Sequence, residues 1–273
     1  MQKKKMMVAI MVNIAFSAPA IAGPIFLTGH DPDFHAQSGA ATNLMRTGLS
    51  FATTGTFDDG ASTKFLWVES RPTSVPGGHL IGEDSLEVLG LTLGTNYDRA
   101  NGSEFASINL SNYTAIVIAS SFGGLLSRAE LDALITRKTD IATFINTGGG
   151  LFASSECDDC GVDLLGSSPD LFGYLPVSVT SIGANPPFTV TAFGSSLGLT
   201  NADVNDPTHN SFGLVGGLNI VDTDSAGKAT TLAGNVKVGG GGFEPVPEPA
   251  SLALLSIGLV GAAAMRRKRN TRA

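Results

Sequence analysis

Positive charge is scarce in this chain and unevenly placed. There are 17 Lys and Arg against 24 Asp and Glu, and Lys3, Lys4, Lys5, Arg266, Arg267, Lys268, Arg269 and Arg272 all lie at the two ends. The stretch between those ends holds 9 basic and 24 acidic side chains, a net of −15. Such a surface repels nucleic acid and anionic lipid, which excludes both as partners of the body of the protein. Cysteine is nearly absent, with only Cys157 and Cys160. Glu156, Asp158 and Asp159 crowd those sulfurs with negative charge, which raises a thiol pKa and argues against a reactive thioredoxin-like pair. No motif recurs at a fixed period, so a solenoid or propeller is not expected. Gly148 to Gly150 precede a strand and are not followed by Lys-Ser/Thr, so they are no phosphate loop. Asp203, Asn205 and Asp206 lack the spacing of an EF-hand loop.

Long apolar runs are also missing, and the two that come nearest lie at the termini. Lys3-Lys4-Lys5 precede an apolar run from Met6 to Phe16, and Ala20-Ile21-Ala22 has the small-x-small pattern of a signal peptidase site. This reading makes 1–22 a signal peptide and starts the mature chain near Gly23. It also places the chain in an oxidising compartment, where a local Cys157–Cys160 disulfide is the expectation. At the other end, Ala250 to Met265 is charge-free and spans about 24 Å as a helix, short against a hydrocarbon core of about 30 Å. The basic cluster Arg266, Arg267, Lys268 and Arg269 follows it and belongs on the cytoplasmic side.

Pro247-Glu248-Pro249, this short apolar helix and the terminal basic cluster together closely resemble the PEP-CTERM sorting signal. The resemblance implies an exosortase substrate that sits in the membrane through the helix at 250–265 before processing. It further implies an end point at the cell surface or in the extracellular matrix, with exopolysaccharide as an associated partner. The domain reading is then 1–22 signal peptide, 23–238 one α/β domain, 239–246 a Gly/Pro linker and 247–273 the sorting signal.

Within 23–238, strand and helix alternate. Ile25 to Thr28 reads as a buried strand, Gln37 to Phe51 as a helix, Lys64 to Val68 as a second strand, and Glu83 to Leu91 as a helix with Leu86, Val88 and Leu89 inward. Ala115 to Ala119 is a third strand, apolar throughout as a strand covered on both faces should be. Ser127 with Glu130 forms a capping box that opens one helix continuing to Asn146, and Leu151 to Ser154 is the fourth strand. This alternation predicts an α/β fold, a mostly parallel sheet with helices on both faces. Beyond Cys160, short β-like runs at 175–180, 188–191, 218–221 and 229–232 predict extension by antiparallel strands, with Asp222 to Gly227 as a hairpin turn.

The order of Asn112-Tyr113-Thr114-Ala115-Ile116-Val117-Ile118, a capped helix and Phe144-Ile145-Asn146-Thr147-Gly148-Gly149-Gly150-Leu151 resembles the flavodoxin-like, class I glutamine amidotransferase-like fold. Within that fold it is similar to ThuA-like proteins, over about residues 24–235. In the enzymes of that fold a Cys nucleophile follows the strand matching Leu151 to Ser154. The matching position here is Ser155 or Glu156, and Cys157 is displaced, so the activity does not carry over.

Six residues make up the candidate ligand or metal site: His30, Asp31, Asp33, His35, Glu156 and His209. The first four lie in one segment directly after the first strand, and Glu69, Ser120 and Ser121 share the same sheet edge, where open α/β sheets bind ligands. Two imidazoles and two carboxylates suit a divalent metal such as Zn²⁺, or a general acid and base. Asp31-Pro32 equally forms a plain turn. His209 belongs to a second polar turn, and His79 has no evident partner. Three functions stay open: a non-catalytic surface or matrix protein, a metal-dependent hydrolase or carbohydrate-active enzyme, and a ligand- or metal-binding module. The first is favoured.

Overall fold

The computed structural model describes residues 21–60, 62–73, 83–121, 125–154, 171–181, 184–205, 210–239 and 242–245. In chain order the elements are β1 (Pro24–Thr28), α1 (Gly39–Ala52), β2 (Phe65–Val68), α2 (Asp84–Val88), β3 (Tyr97–Ala100), α3 (Gly102–Phe105), β4 (Ala115–Ile118), α4 (Arg128–Thr136), α5 (Lys138–Asn146), β5 (Gly150–Ser154), β6 (Val179–Ser181), β7 (Thr189–Val190), α6 (Ala192–Ser196), α7 (Asn201–Val204), β8 (Ser211–Phe212), β9 (Asn219–Thr223), β10 (Ala229–Gly239) and β11 (Gly242–Pro245). The fold is α/β on a mixed sheet whose main path runs β3-β2-β4-β5-β1-β10-β8-β6.

The first five strands of that path pair in parallel. β1, β2, β4 and β5 are buried at every position, which a strand needs when helices cover both its faces. Successive side chains point to opposite faces. Ile25, Leu27, Leu66, Val68, Ile116 and Ile118 meet Leu131 and Leu134 of α4 and Ile141 and Ile145 of α5 on one side. Phe26, Phe65, Trp67, Val117 and Phe152 meet Leu44, Met45 and Leu49 of α1 and Leu86 of α2 on the other. Fully burying one such side chain contributes about 1.5–3 kcal/mol.

β10 organises the antiparallel half. It pairs with β1 from Pro24↔Asn235 to Thr28↔Thr231, with β9 and β8 near its start, and with β11 at its end. The turn that closes the β9–β10 hairpin starts at Asp224 and not at Asp222, because Asp222 and Thr223 belong to β9 and pair with β10; Asp224 Oδ1 accepts from the backbone N–H of Ala226 and of Lys228.

Several expectations need correcting. The edge strand β3 (Tyr-Asp-Arg-Ala) shows no apolar run, because its side chains at Asp98 and Arg99 are half-exposed, so the strand at 115–118 is the fourth in the chain and the strand at 150–154 the fifth. The helix expected to run from Ser127 to Asn146 is broken at Arg137 (φ −97, ψ 18). There the guanidinium Nη1 donates to the carbonyls of Phe105 and Ile108 at 2.6 and 2.8 Å. Val88, expected inward, is 51 % exposed, while Leu86 and Leu89 are buried. Turns occupy 171–176, where part of a strand was expected. β11 lies inside the segment expected to be a linker, because 242–245 hydrogen-bonds back onto β10.

The glycines after α5 have a packing role. Gly148 takes φ 107, and a methyl group on Gly150 would lie 1.8 Å from the carbonyl oxygen of Ala52. A side chain at Gly150 would push α1 off the sheet, whereas Gly148 is held to glycine by its backbone angle. Among the described residues, no helix is long and apolar enough to cross a membrane. The signal peptide through residue 20, the Cys157–Cys160 bridge, His79, Glu156, His209, Pro247-Glu248-Pro249, the helix at 250–265 and the basic cluster Arg266 to Arg269 lie outside the described residues.

Candidate functional site

The carboxyl ends of β1, β2, β4 and β9 bring together most of the polar residues that the interior contains. β1 ends at Thr28, and the chain turns at once: the backbone N–H groups of Phe34 and His35 both donate to the carbonyl of Asp31. Ser38 then caps α1, accepting from Ala41 N at 3.1 Å. The segment His30 to His35 is therefore the turn into α1. Asp-Pro at its start fits that geometry.

Its side chains diverge. His30, 2 % exposed, points away from its sequence neighbours, and its Nε2 lies 3.0 Å from Asp222 Oδ2 on β9. Thr230 Oγ1 donates to the same carboxylate oxygen, the backbone N–H of His30 donates to Thr28 Oγ1, and the imidazole edge meets the Phe188 ring. His35 faces inward to its own turn instead: Nε2 is 3.1 Å from Asp31 Oδ2, ion-pair distance, though off the line of a hydrogen bond. Asp33 reaches across to β4, where its Oδ2 accepts from the backbone N–H of Ser120 at 2.7 Å.

One strand further on, Glu69 follows β2. Its Oε1 accepts from Arg99 Nη1 at 3.2 Å, Arg99 also pairs with Glu83 at 3.0 Å, and Tyr97 OH donates to Glu83 at 3.0 Å. The Trp67 indole N–H lies close enough to favour the Glu69 carboxylate while meeting no acceptor in hydrogen-bonding geometry.

Burial dominates the electrostatics. It pushes Asp33 up to about 6, aided by the Asp31 carboxylate and opposed by the Ser120 N–H. It pushes Glu69 up to about 7, opposed by Trp67 and Arg99 and aided by Glu83. Asp33 Oδ1, Glu69 Oε2 and Asp222 Oδ1 are buried oxygens that meet no hydrogen-bond partner among the described residues. Protonation at Asp33 and Glu69 lowers the cost of leaving such an oxygen dry.

His30, Asp31, Asp33 and Glu69 thus lie at the carboxyl edge of the sheet, while Glu156 and His209 of the expected ligand set lie outside the described residues. Among the described residues, no three His, Cys, Asp or Glu side chains converge to hold a metal ion. Consecutive residues of a tight turn project in different directions: His30 finds its contact on β9 and Asp33 on Ser120 after β4, while Asp31 meets His35 within the turn. Asp222, Thr230, Arg99 and Glu83 escaped the sequence reading. Asp222 follows Ile220 and Val221 directly and belongs to β9, although the sequence reads it as the start of the hairpin turn.

Comparison with known proteins bears on the tail. Residues 245–269 match the PEP-CTERM protein-sorting motif. That signal means the chain is membrane-anchored during sorting and then exported to the cell surface, with exosortase as its processing partner. No curated protein and no solved structure matches the chain.

Proposed function

We propose that this is a protein of the cell surface or extracellular matrix whose α/β domain is a non-catalytic scaffold of the flavodoxin-like, amidotransferase-like type. Residues 1–22 act as a signal peptide removed by signal peptidase, Cys157 and Cys160 are bridged, and exopolysaccharide surrounds the exported form. Strand order supports the scaffold: β2 to β5 are arranged as β3-β2-β4-β5, the order 2-1-3-4 of a flavodoxin-like sheet, with β1 in the place of its fifth strand. One observation carries the non-catalytic reading. Among the described residues at the polar edge, each imidazole faces a buried carboxylate: His30–Asp222 ties the turn after β1 to the β9–β10 hairpin, and His35–Asp31 braces that turn from within.

The second reading, a hydrolase or ligand-binding module at this edge, draws on the unpartnered oxygens of Asp33 and Glu69 and on their raised pKa values. Protonated carboxyls near neutral pH are suited to general acid work. Metal analysis of the surface-released protein and a screen of ester and glycan substrates separate the two. The scaffold reading expects no bound metal and no turnover. Turnover that disappears in Asp33→Asn or Glu69→Gln, with the urea midpoint not lowered, establishes the second reading in its place.

A further inference from the structure

At the opposite end of the sheet, where β2, β4 and β5 begin, a groove of about 800 Å³ opens between the last turns of α1 and α5. That volume lies in the range of small-molecule sites. Its lining is dominated by threonine, and every one of these hydroxyls has its proton committed. Thr53 donates to the carbonyl of Leu49 and both Thr54 and Thr56 to that of Thr53. Thr63 donates to Gly60 and Thr114 to Lys64. On α5, Thr143 donates to Thr139 and Thr147 to Thr143.

A hydroxyl that has donated its proton presents only lone pairs to a ligand. The backbone N–H groups of Thr63, Thr114, Gly148 and Gly149 also donate to carbonyls within the protein. Tyr113 OH is given to Asp98 and Ser111 Oγ to Asn109. Two helix C-termini border the groove, adding the negative ends of their dipoles. The threonine face of the groove is thus built of acceptors, with the Asn109 amide and the Arg137 guanidinium as the donors on its other side. It favours a ligand that donates and disfavours anions and carbonyl-rich molecules.

Two observations narrow the class. Arg137 Nε donates to Asp140 Oδ2 at 2.9 Å, so the charges at the rim neutralise each other and select no ion. Leu110 and Phe144 line the groove together with the threonines, an amphipathic lining that suits hydroxyl groups carried on a carbon ring. In addition, Thr54 takes φ 55, a conformation rarely found for a β-branched residue. The fold keeps a strained threonine at the rim where a glycine would relax it.

We propose that this groove binds a short, uncharged oligosaccharide through donation from its hydroxyls to the threonine oxygens. Isothermal titration of the surface-released protein with maltotriose, cellotriose and laminaritriose, and with spermidine and citrate as charged comparators, tests it. One trisaccharide should bind at millimolar concentration or below. Thr54→Gly and Thr147→Val should each weaken that binding at least about fivefold, the loss of one hydrogen bond. Thr54→Gly relieves backbone strain, so its loss of binding is not a loss of folding. Ser103→Ala, on α3, should leave binding unchanged. Absence of binding by all three sugars, affinity indifferent to both threonine variants, or tighter binding of spermidine or citrate than of any sugar would each overturn the proposal.

Discussion

His30 and Asp222 stand 192 positions apart in the chain, yet their side chains meet at 3.0 Å in the interior, with 3 % and 0 % of their surfaces exposed. This contact joins the first strand's turn to the β9–β10 hairpin. Removing either partner leaves the other buried without it. His30→Leu or Asp222→Leu alone should cost about 2–4 kcal/mol in urea unfolding, and the double variant less than the sum of the two. Additive losses would show that the pair does not interact.

Asp33 and Glu69 predict an unusual dependence on pH. Their folded values, about 6 and about 7, lie above the ordinary 3.8 and 4.5, so the folded state holds these protons more tightly than the unfolded chain. Their stabilisation is complete below the ordinary values and is lost as pH rises through the folded ones. Stability should therefore fall between about pH 4 and pH 7, by up to about 3 kcal/mol for each group. Asp33→Asn and Glu69→Gln should flatten the fall and leave each variant more stable than the parent at pH 8. Urea midpoints at pH 4.5, 6 and 8 decide the matter, and a slope that both variants leave unaltered would refute it.

Two glycines should respond differently to the same substitution. Gly150→Ala sets a methyl group against the Ala52 carbonyl at 1.8 Å and should cost at least about 3 kcal/mol. Gly55 has φ 84 and open space around it, so Gly55→Ala should cost only about 1 kcal/mol. Thermal unfolding of the two variants measures the contrast.

The match at 245–269 predicts the mass of the exported form. Peptides spanning Leu252 to Arg266 should be present in the membrane fraction and absent from protein released at the surface. Their recovery from released protein would count against processing at the Pro-Glu-Pro motif.

The parts legible in the sequence were those written in local pattern. The four apolar strands, the Ser127–Glu130 capping box and α1 are each fixed by neighbours within a few residues. β3 was not legible, because an edge strand has no need of apolar residues at every position. Nor was the break at Arg137, whose cause lies in the carbonyls of Phe105 and Ile108, roughly 30 positions away. The site followed the same rule. The edge on which His30, Asp31 and Asp33 lie comes from their position after a strand, but their partners Asp222 and Ser120 come from strands that only the folded sheet brings alongside.

β10 carries a consequence for the order of events during export. β1 pairs on one side with β5 and on the other with β10, so its outer edge has no neighbour until residues 231–235 are available. Those residues lie about ten positions ahead of the matched tail segment. A chain threaded across a membrane from its N-terminus would thus keep its first strand open on one side until almost the whole domain had passed. Closing so long a loop is slow. The domain is therefore held back from early folding by its own connectivity, and the hairpin next to the tail is the piece that completes it.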